Sequence, residues 1–205
     1  MVIRRDIEQG TPEWFGVKLG IPSTSNFSRM IANGKGQNTM GLTAKTYAKE
    51  LVIEKMTGVL TQLPKLYHIE RGKELEPFAR EWYEDNYFEN VEEIGGIENQ
   101  DCYCSTDGLI GEKKVLEIKC PLANTHFDYL IDPKLLIKTY HWQVQGELWL
   151  SERDTCILVS YHPDFQKQVV VEVKRDEKAI LQLVKRAKDF KKEIIKLETK
   201  IKKIA

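Results

Sequence analysis

Three features of the sequence predict a layered α/β (α+β) fold. Residues 91–98, 102–110 and 114–120 carry side chains that alternate with period two, and "GG", "NQ" and "GEKK" turns separate them, as in successive strands. Ahead of them, Leu75, Phe78, Ala79 and Trp82 fall at helical spacing. Behind them, "TCILVSYHP" and "QVVVEVKR" read as two more strands, and residues 176–204 read as a long closing helix.

The remaining elements follow in chain order. "GTPEWFGVKLGIPSTSNFSRMIANG" (10–34) reads as a turn, a short extended piece and a helix opened by Ser23, Thr24 or Ser25 and closed near Gly34. "GKGQNTMG" (34–41) reads as an exposed mobile loop, and "LTAKTYAKELVIEKMTG" as a helix ending at Gly58. "VLTQLPKLYH" (59–68) reads as a linker into the helix of "IERGKELEPFAREWYEDNYF". Proline is tolerated near a helix start or at a kink, so Pro77 is expected to put Glu74 and Glu76 at the front end. Residues 125–151 read as helical with an interruption near Asp132-Pro133.

A chain of 205 residues buries a full core as one domain, whereas splitting it leaves two small ones. With 30% charged and 41% apolar residues, the composition is that of a soluble globular protein. No apolar run approaches the roughly 20 residues of a membrane span, and "MVIRRDIEQG" lacks the apolar core of a signal peptide, so a cytoplasmic protein without membrane contact is expected. A formal net charge of zero argues against indiscriminate polyanion binding while leaving local patches open. Cys102, Cys104, Cys120 and Cys156 lack a second C-x-C pair and read as small buried thiols.

"CSTDGLIGEKKVLEIKCP" (104–121) is the stretch that ordinary packing explains least. Strand alternation puts Leu116, Ile118 and Cys120 on one face and Glu117 with Lys119 on the other, and Ser105 with Asp107 on one face of the preceding strand. A hairpin between the two strands brings Asp107 beside Glu117. Two close carboxylates repel unless a cation lies between them, and Mg²⁺ with one or two carboxylates, water and substrate phosphates resolves that conflict. Lys119 adds a positive charge, and the set suits metal-assisted attack on a phosphate. The plainer alternative is an Asp107-Gly108 turn and a solvated sheet face.

Further segments make the sequence recognisable. "STDGL" with "LEIKCP" resembles the PD-(D/E)xK nuclease signature. "WFGVKLGIPSTSNF", "RGKELEPFAREWYE", "CSTDGL", "LEIKCP" and "YHWQVQGELWL" resemble, in order and spacing, the phage lambda exonuclease or YqaJ-like viral recombinase family, from about Gln9 to Asp164. The resemblance implies a restriction-endonuclease-like core with a central mixed sheet flanked by helices. It implies one nuclease domain over 1–205, with its core at about 9–175 and a closing helix after it.

Residue by residue, the resemblance implies metal ligation by Asp107, Glu117 and the backbone carbonyl of Ile118. Lys119 would orient or activate the attacking water, Glu76 would approach a second metal position, and Gln143 would lie beside the lysine and substrate. Lys18, Ser25 and Ser105 would hold the 5′-terminal phosphate. Two Mg²⁺ ions per site are implied, with Mn²⁺ as a possible substitute. The implied reaction is 5′-to-3′ degradation of duplex DNA ends to 5′-mononucleotides, leaving a 3′ overhang for recombination. A homotrimeric ring and a single-strand annealing protein as partner are implied as well. Thr106 replaces the proline of the signature, and Lys18 replaces an arginine, losing its bidentate fork.

Simpler readings stand beside these. The serine run could be an ordinary helix cap, and an acid in a first helical turn such as Glu76 is favoured by the helix dipole without metal. Glu70 and Glu74 compete with Glu76, and only the family register selects among them. Trp142 and Trp149 read as core, and His68, His126, His141 and His162 show no ligand spacing. In the closing helix, the stripe Leu183, Phe190, Ile194, Leu197 and Ile201 needs a partner surface, and its many lysines read as solvated. Three alternatives compete for function: an endonuclease of the same superfamily, an iron–sulfur nuclease domain, and a catalytically idle DNA-binding or assembly module.

Overall fold

The computed structural model of the protein describes residues 1–36, 39–61 and 66–204. Its elements run β1 (Val2–Arg4), α1 (Pro12–Lys18), a 3-10 turn (Thr24–Asn26), α2 (Phe27–Met30), α3 (Leu42–Thr57) and α4 (Leu66–Tyr87). They continue with β2 (Val91–Glu92), β3 (Gly96–Glu98), β4 (Tyr103–Cys104), β5 (Gly108–Ile110) and β6 (Lys114–Lys119). The chain ends with α5 (Ala123–Ile131), α6 (Pro133–Ser151), β7 (Thr155–Ser160), β8 (Val169–Lys174) and α7 (Glu177–Lys202). These fall into two compact units, one of residues 1–62, 95–105 and 176–205, the other of 63–94 and 106–175.

The first unit has a three-stranded antiparallel sheet in the order β1-β3-β4. The expected extended piece after residue 10 is instead α1: Thr11 accepts from the Trp14 amide and Pro12 occupies the first turn, where its missing N–H costs nothing. The helix expected to run to near Gly34 is the 3-10 turn and the four residues of α2, ending at Met30. Gln37 and Asn38 of the loop expected to be mobile lie outside the described residues. On either side of them, Gly34 donates to the Thr39 carbonyl and Gly41 to that of Ala32, flanking an antiparallel bridge between Asn33 and Met40. α3 ends at Gly58, whose φ of 70° is the left-handed conformation that glycine adopts freely. α7 starts on Asp176, which accepts from the amides of Lys178 and Ala179. It lays Leu183, Phe190 and Ile194 against α2 and α3, where Phe27, Met30, Tyr47 and Leu51 are buried. The rings of Tyr47 and Phe190 lie 5.3 Å apart, so the front of the stripe is core, whereas Leu197 is half-buried and Ile201 exposed.

The second unit holds the central mixed sheet, in the order β2-β5-β6-β7-β8, with β6 and β7 parallel and the other pairs antiparallel. A parallel pair needs a long crossover, which α5 and α6 supply. Asp132 caps α6 by accepting from the Lys134 amide, and Pro133 starts it. On one face of the sheet Ile110, Leu116, Ile118, Ile157 and Val159 pack on Ala79 and Tyr83 of α4. Val115, Glu117 and Lys119 therefore turn to the other face, which α6 covers.

Other expectations are corrected. Residues 91–98 are two strands, β2 in the five-stranded sheet and β3 in the three-stranded one, and 102–110 divides in the same way into β4 and β5. The change of sheet falls at Gly95-Gly96, where close packing needs the absence of a side chain: a Cβ on Gly95 would lie 2.3 Å from the Ile7 carbonyl oxygen. α4 begins at Leu66, inside the expected linker, of which residues 62–65 lie outside the described residues. Pro77 thus sits mid-helix on the exposed side, so Glu74 and Glu76 are not at a front end. Phe78 is exposed, and the buried face of α4 is formed by Ala79, Arg80 and Tyr83. Trp142 and Trp149 are half-buried, while Cys102, Cys104 and Cys156 are buried free thiols and Cys120 is half-buried. Among the described residues, no helix is long and apolar enough to cross a membrane.

Candidate active site

The β5–β6 hairpin builds the centre of the second unit. Gly108 pairs with Leu116, and the Asp107 amide donates to the Leu116 carbonyl at 3.1 Å. Thr106 is fully buried and its hydroxyl donates to the same carbonyl at 2.7 Å, a bond that proline in that place could not make. Asp107 Oδ2 accepts from the Ile118 amide at 2.6 Å, which fixes the carboxylate against β6.

Glu117 is 2% exposed, and its Oε1 accepts from Lys119 Nζ at 2.5 Å and from Gln143 Nε2 at 2.6 Å. No hydroxyl, amide or ammonium donor among the described residues reaches its Oε2. Lys119 also lies with its Nζ 4.7 Å from the Tyr140 ring centroid, in cation–π contact. Gln143 Nε2 donates in addition to Glu147 Oε1, at 2.9 Å. Glu147 is fully buried one turn along α6, and sequence reading missed it. Its separation of four residues from Gln143 was a usable signal, because such pairs share a helix face.

Glu76 reaches the group from α4, while Glu70 and Glu74 are exposed. It is ion-paired at 2.7 Å with Arg80, whose guanidinium also binds Glu93 at 2.8 Å and the Asp107 carbonyl at 3.3 Å. The registry of the hairpin and the facing helices thus brings together Asp107, Glu117, Lys119, Gln143 and Glu76.

The electrostatics follow from this crowding. Burial first, then the charges of Glu117 and Glu76, push the Asp107 carboxyl well above its ordinary value. Burial and then the charge of Glu117 do the same to Glu147. Burial raises Glu76, against the opposing charge of Arg80. Burial works to lower Lys119, but the charges of Glu117 and Asp107 outweigh it and hold the ammonium above the ordinary lysine range. The site is an acid cluster with too little positive charge.

A divalent ion fits that imbalance. Among the described residues no three His, Cys, Asp or Glu side chains form a metal-holding group by themselves. The donors on offer are Asp107, the Glu117 Oε2 without a donor, and the Ile118 carbonyl. That is an all-oxygen set which leaves positions for water and phosphate oxygens, as Mg²⁺ uses.

Lys18, Ser25 and Ser105 belong to the first unit. There, residue 23 bridges to Tyr103, and Ser25 Oγ lies 3.0 Å from Ser23 Oγ. Ser25 is exposed, and the buried Ser105 Oγ makes no hydrogen bond to a described residue. Lys18 Nζ stacks 3.4 Å from the Trp14 ring centroid and 5.9 Å from that of Tyr103. Only a 3-10 turn and four residues of helix stand behind Ser25, so a helix dipole would add little to a phosphate held there by Lys18 and the hydroxyls. His126 is buried against Ser160 at 2.8 Å and the Lys167 carbonyl at 3.1 Å, a packing role.

The model of the YqaJ-like viral recombinase domain matches residues 13–154. The chain belongs to this family. Among solved structures, the YqaJ-like chain is 27% identical to LHK-Exo in complex with dAMP, with a TM-score of 0.82, covering 95% of this chain and 100% of that one. An alkaline exonuclease (LHK-Exo) from Laribacter hongkongensis gives the same identity and coverage with a TM-score of 0.78. A phage related exonuclease from Haemophilus somnus 129PT, 16% identical over 88% of this chain and 96% of its own, shares the fold with a TM-score of 0.79. Among curated proteins, no sequence matches the YqaJ-like chain.

Proposed function

We propose that this deoxyribonuclease is a Mg²⁺-dependent exonuclease that degrades duplex DNA from 5′ ends, releasing 5′-mononucleotides and leaving a 3′ single strand for recombination. The observation that carries the reading is the convergence of Asp107, Glu117 and Lys119, with one oxygen of Glu117 left without an N–H or hydroxyl donor. Family membership and the likeness to the LHK-Exo complex with dAMP support it.

In this reading Asp107, Glu117 and the Ile118 carbonyl hold the metal, and Glu76 leaves Arg80 to serve a second position. Bound Mg²⁺ would supply a water of lowered pKa and charge stabilisation at the leaving oxygen. Lys119 stays protonated beside Glu117 and so acts by donating: it orients the attacking water and faces the charge that develops on the phosphate. Gln143 holds Glu117 still while this happens. Lys18, Ser25 and Ser105 offer an ammonium and two hydroxyls to a terminal phosphate. A homotrimeric ring would keep the enzyme on its substrate, Mn²⁺ would substitute for Mg²⁺, and the overhang would pass to a single-strand annealing protein.

The test is degradation of linear duplexes with and without 5′-phosphate, and of closed circles, in Mg²⁺, by the parent and by Lys119→Ala. The parent should prefer the phosphorylated end and spare circles, and the variant should be folded and at least about 100-fold slower. Cleavage of circles would replace the exonuclease by an endonuclease. Equal rates at both kinds of end would remove the phosphate role of Lys18, Ser25 and Ser105.

A further inference from the structure

We infer that Glu147 is a positioning residue for catalysis, acting on Glu117 through the side-chain amide of Gln143. The inference rests on the metal-dependent reading of the site. A glutamate has three rotatable side-chain bonds, and a metal-holding carboxylate gains from being fixed in one rotamer. Glu117 Oε1 is fixed from two sides, by Lys119 Nζ at 2.5 Å and by Gln143 Nε2 at 2.6 Å. The first of these partners has a flexible four-carbon stem and must also attend to substrate. The second is itself fixed, because the same Nε2 donates at 2.9 Å to Glu147 Oε1. Two acceptors on one amide nitrogen use both of its hydrogens, set the plane of the amide and decide which end of it faces Glu117.

Glu147 is well anchored for this task. It shares a face of α6 with Gln143, is fully buried, and has Cys156 Sγ of β7 at 4.0 Å from its Oε2. β7 pairs in parallel with β6, setting Val115 opposite Cys156 and Glu117 opposite Leu158. The polar chain Cys156–Glu147–Gln143–Glu117 therefore begins and ends on neighbouring strands. In terms of stability the arrangement is poor. A carboxyl group buried next to another acid costs stability through desolvation and repulsion, and an apolar side chain of similar size relieves both at the loss of one acceptor for the half-buried Gln143 amide. Its benefit lies in leaving Glu117 Oε2 as the oxygen without an N–H or hydroxyl donor, held ready for a cation. Removing such an outer support lowers metal affinity about 10- to 100-fold in known metal sites.

The decisive experiment compares the parent, Glu147→Leu and Glu147→Gln as full chains. It combines Mg²⁺ calorimetry, thermal unfolding of the metal-stripped proteins, and kcat and KM on linear duplex. Glu147→Leu should bind Mg²⁺ about 10- to 100-fold more weakly and lower kcat with little change in KM, while its metal-free Tm equals or exceeds that of the parent. Glu147→Gln keeps a carbonyl acceptor for the amide and should recover most of the affinity. Should Glu147→Leu fold poorly, Glu147→Met gives the same comparison. Mg²⁺ binding by the apolar variant equal to the parent's would overturn the inference. So would an affinity loss that tracks a fall in metal-free Tm, which marks a purely structural role. A parent that neither binds Mg²⁺ nor degrades DNA would instead sink the metal-dependent reading, and this inference with it.

Discussion

Replacing Arg80 by methionine removes a guanidinium whose side chain is 10% exposed and which holds three acceptors in the second unit. Glu76, at 2.7 Å and 32% exposed, makes a charge-assisted hydrogen bond worth about 1.5–3 kcal/mol. Glu93, at 2.8 Å but 68% exposed, contributes about 0–1 kcal/mol after solvent screening. The bond to the Asp107 carbonyl is long at 3.3 Å and adds about 0.5–1 kcal/mol. Methionine keeps the packing of the arginine stem, so the net loss should be about 2–5 kcal/mol. For a chain of this size that lowers Tm by about 4–20 °C. Equilibrium urea unfolding in chelator is the appropriate assay, because bound Mg²⁺ would mask the difference. Glu76→Gln and the double variant complete a cycle, whose coupling should be about 1.5–3 kcal/mol. A loss from Arg80→Met under about 1 kcal/mol, or additivity within about 0.5 kcal/mol, would refute the reasoning.

Three further outcomes are expected. Asp107, Glu76 and Glu147 titrate above their ordinary values when folded, so each contributes stability that is complete below about pH 4 and is lost as pH rises through the raised value. The Tm of the metal-free protein should therefore fall as pH rises above about 4, and Asp107→Asn should flatten the profile. Mg²⁺ binding should tighten as pH rises and release protons, which calorimetry in buffers of different ionisation enthalpy measures; binding without proton release would contradict the raised carboxyls. Gly95→Ala should cost about 2 kcal/mol or more by urea unfolding, because its Cβ would meet the Ile7 carbonyl oxygen at 2.3 Å and the Gly95 carbonyl bonds to Trp14 and Tyr103 would be strained.

Much of this was legible in the sequence because it is local. The alternation of "VLEIK" fixed which side chains share a face, and the Asp107 hairpin follows from a short turn between two strand patterns. Asp132-Pro133 marked the break between α5 and α6 because capping and the missing proline N–H act within one turn. Sheet membership was not legible: residues 91–98 look like one strand, yet β2 and β3 find partners in different sheets, and partners are a tertiary matter. Pro77 misled because a proline on the exposed side of a long helix removes one hydrogen bond while packing elsewhere holds the helix. Glu147 escaped notice because a glutamate at a helical position looks solvated until the helix that buries it is placed.

Neither unit is a continuous stretch of chain, and this has consequences for synthesis on the ribosome. The second unit has all its residues once position 175 has been made, whereas the first still lacks residues 176–205, which contain α7. A chain arrested there would carry the complete acid cluster but leave Phe27, Met30, Tyr47 and Leu51 without their cover from Phe190 and Ile194. Such a product would expose that apolar surface, which favours aggregation and proteolysis.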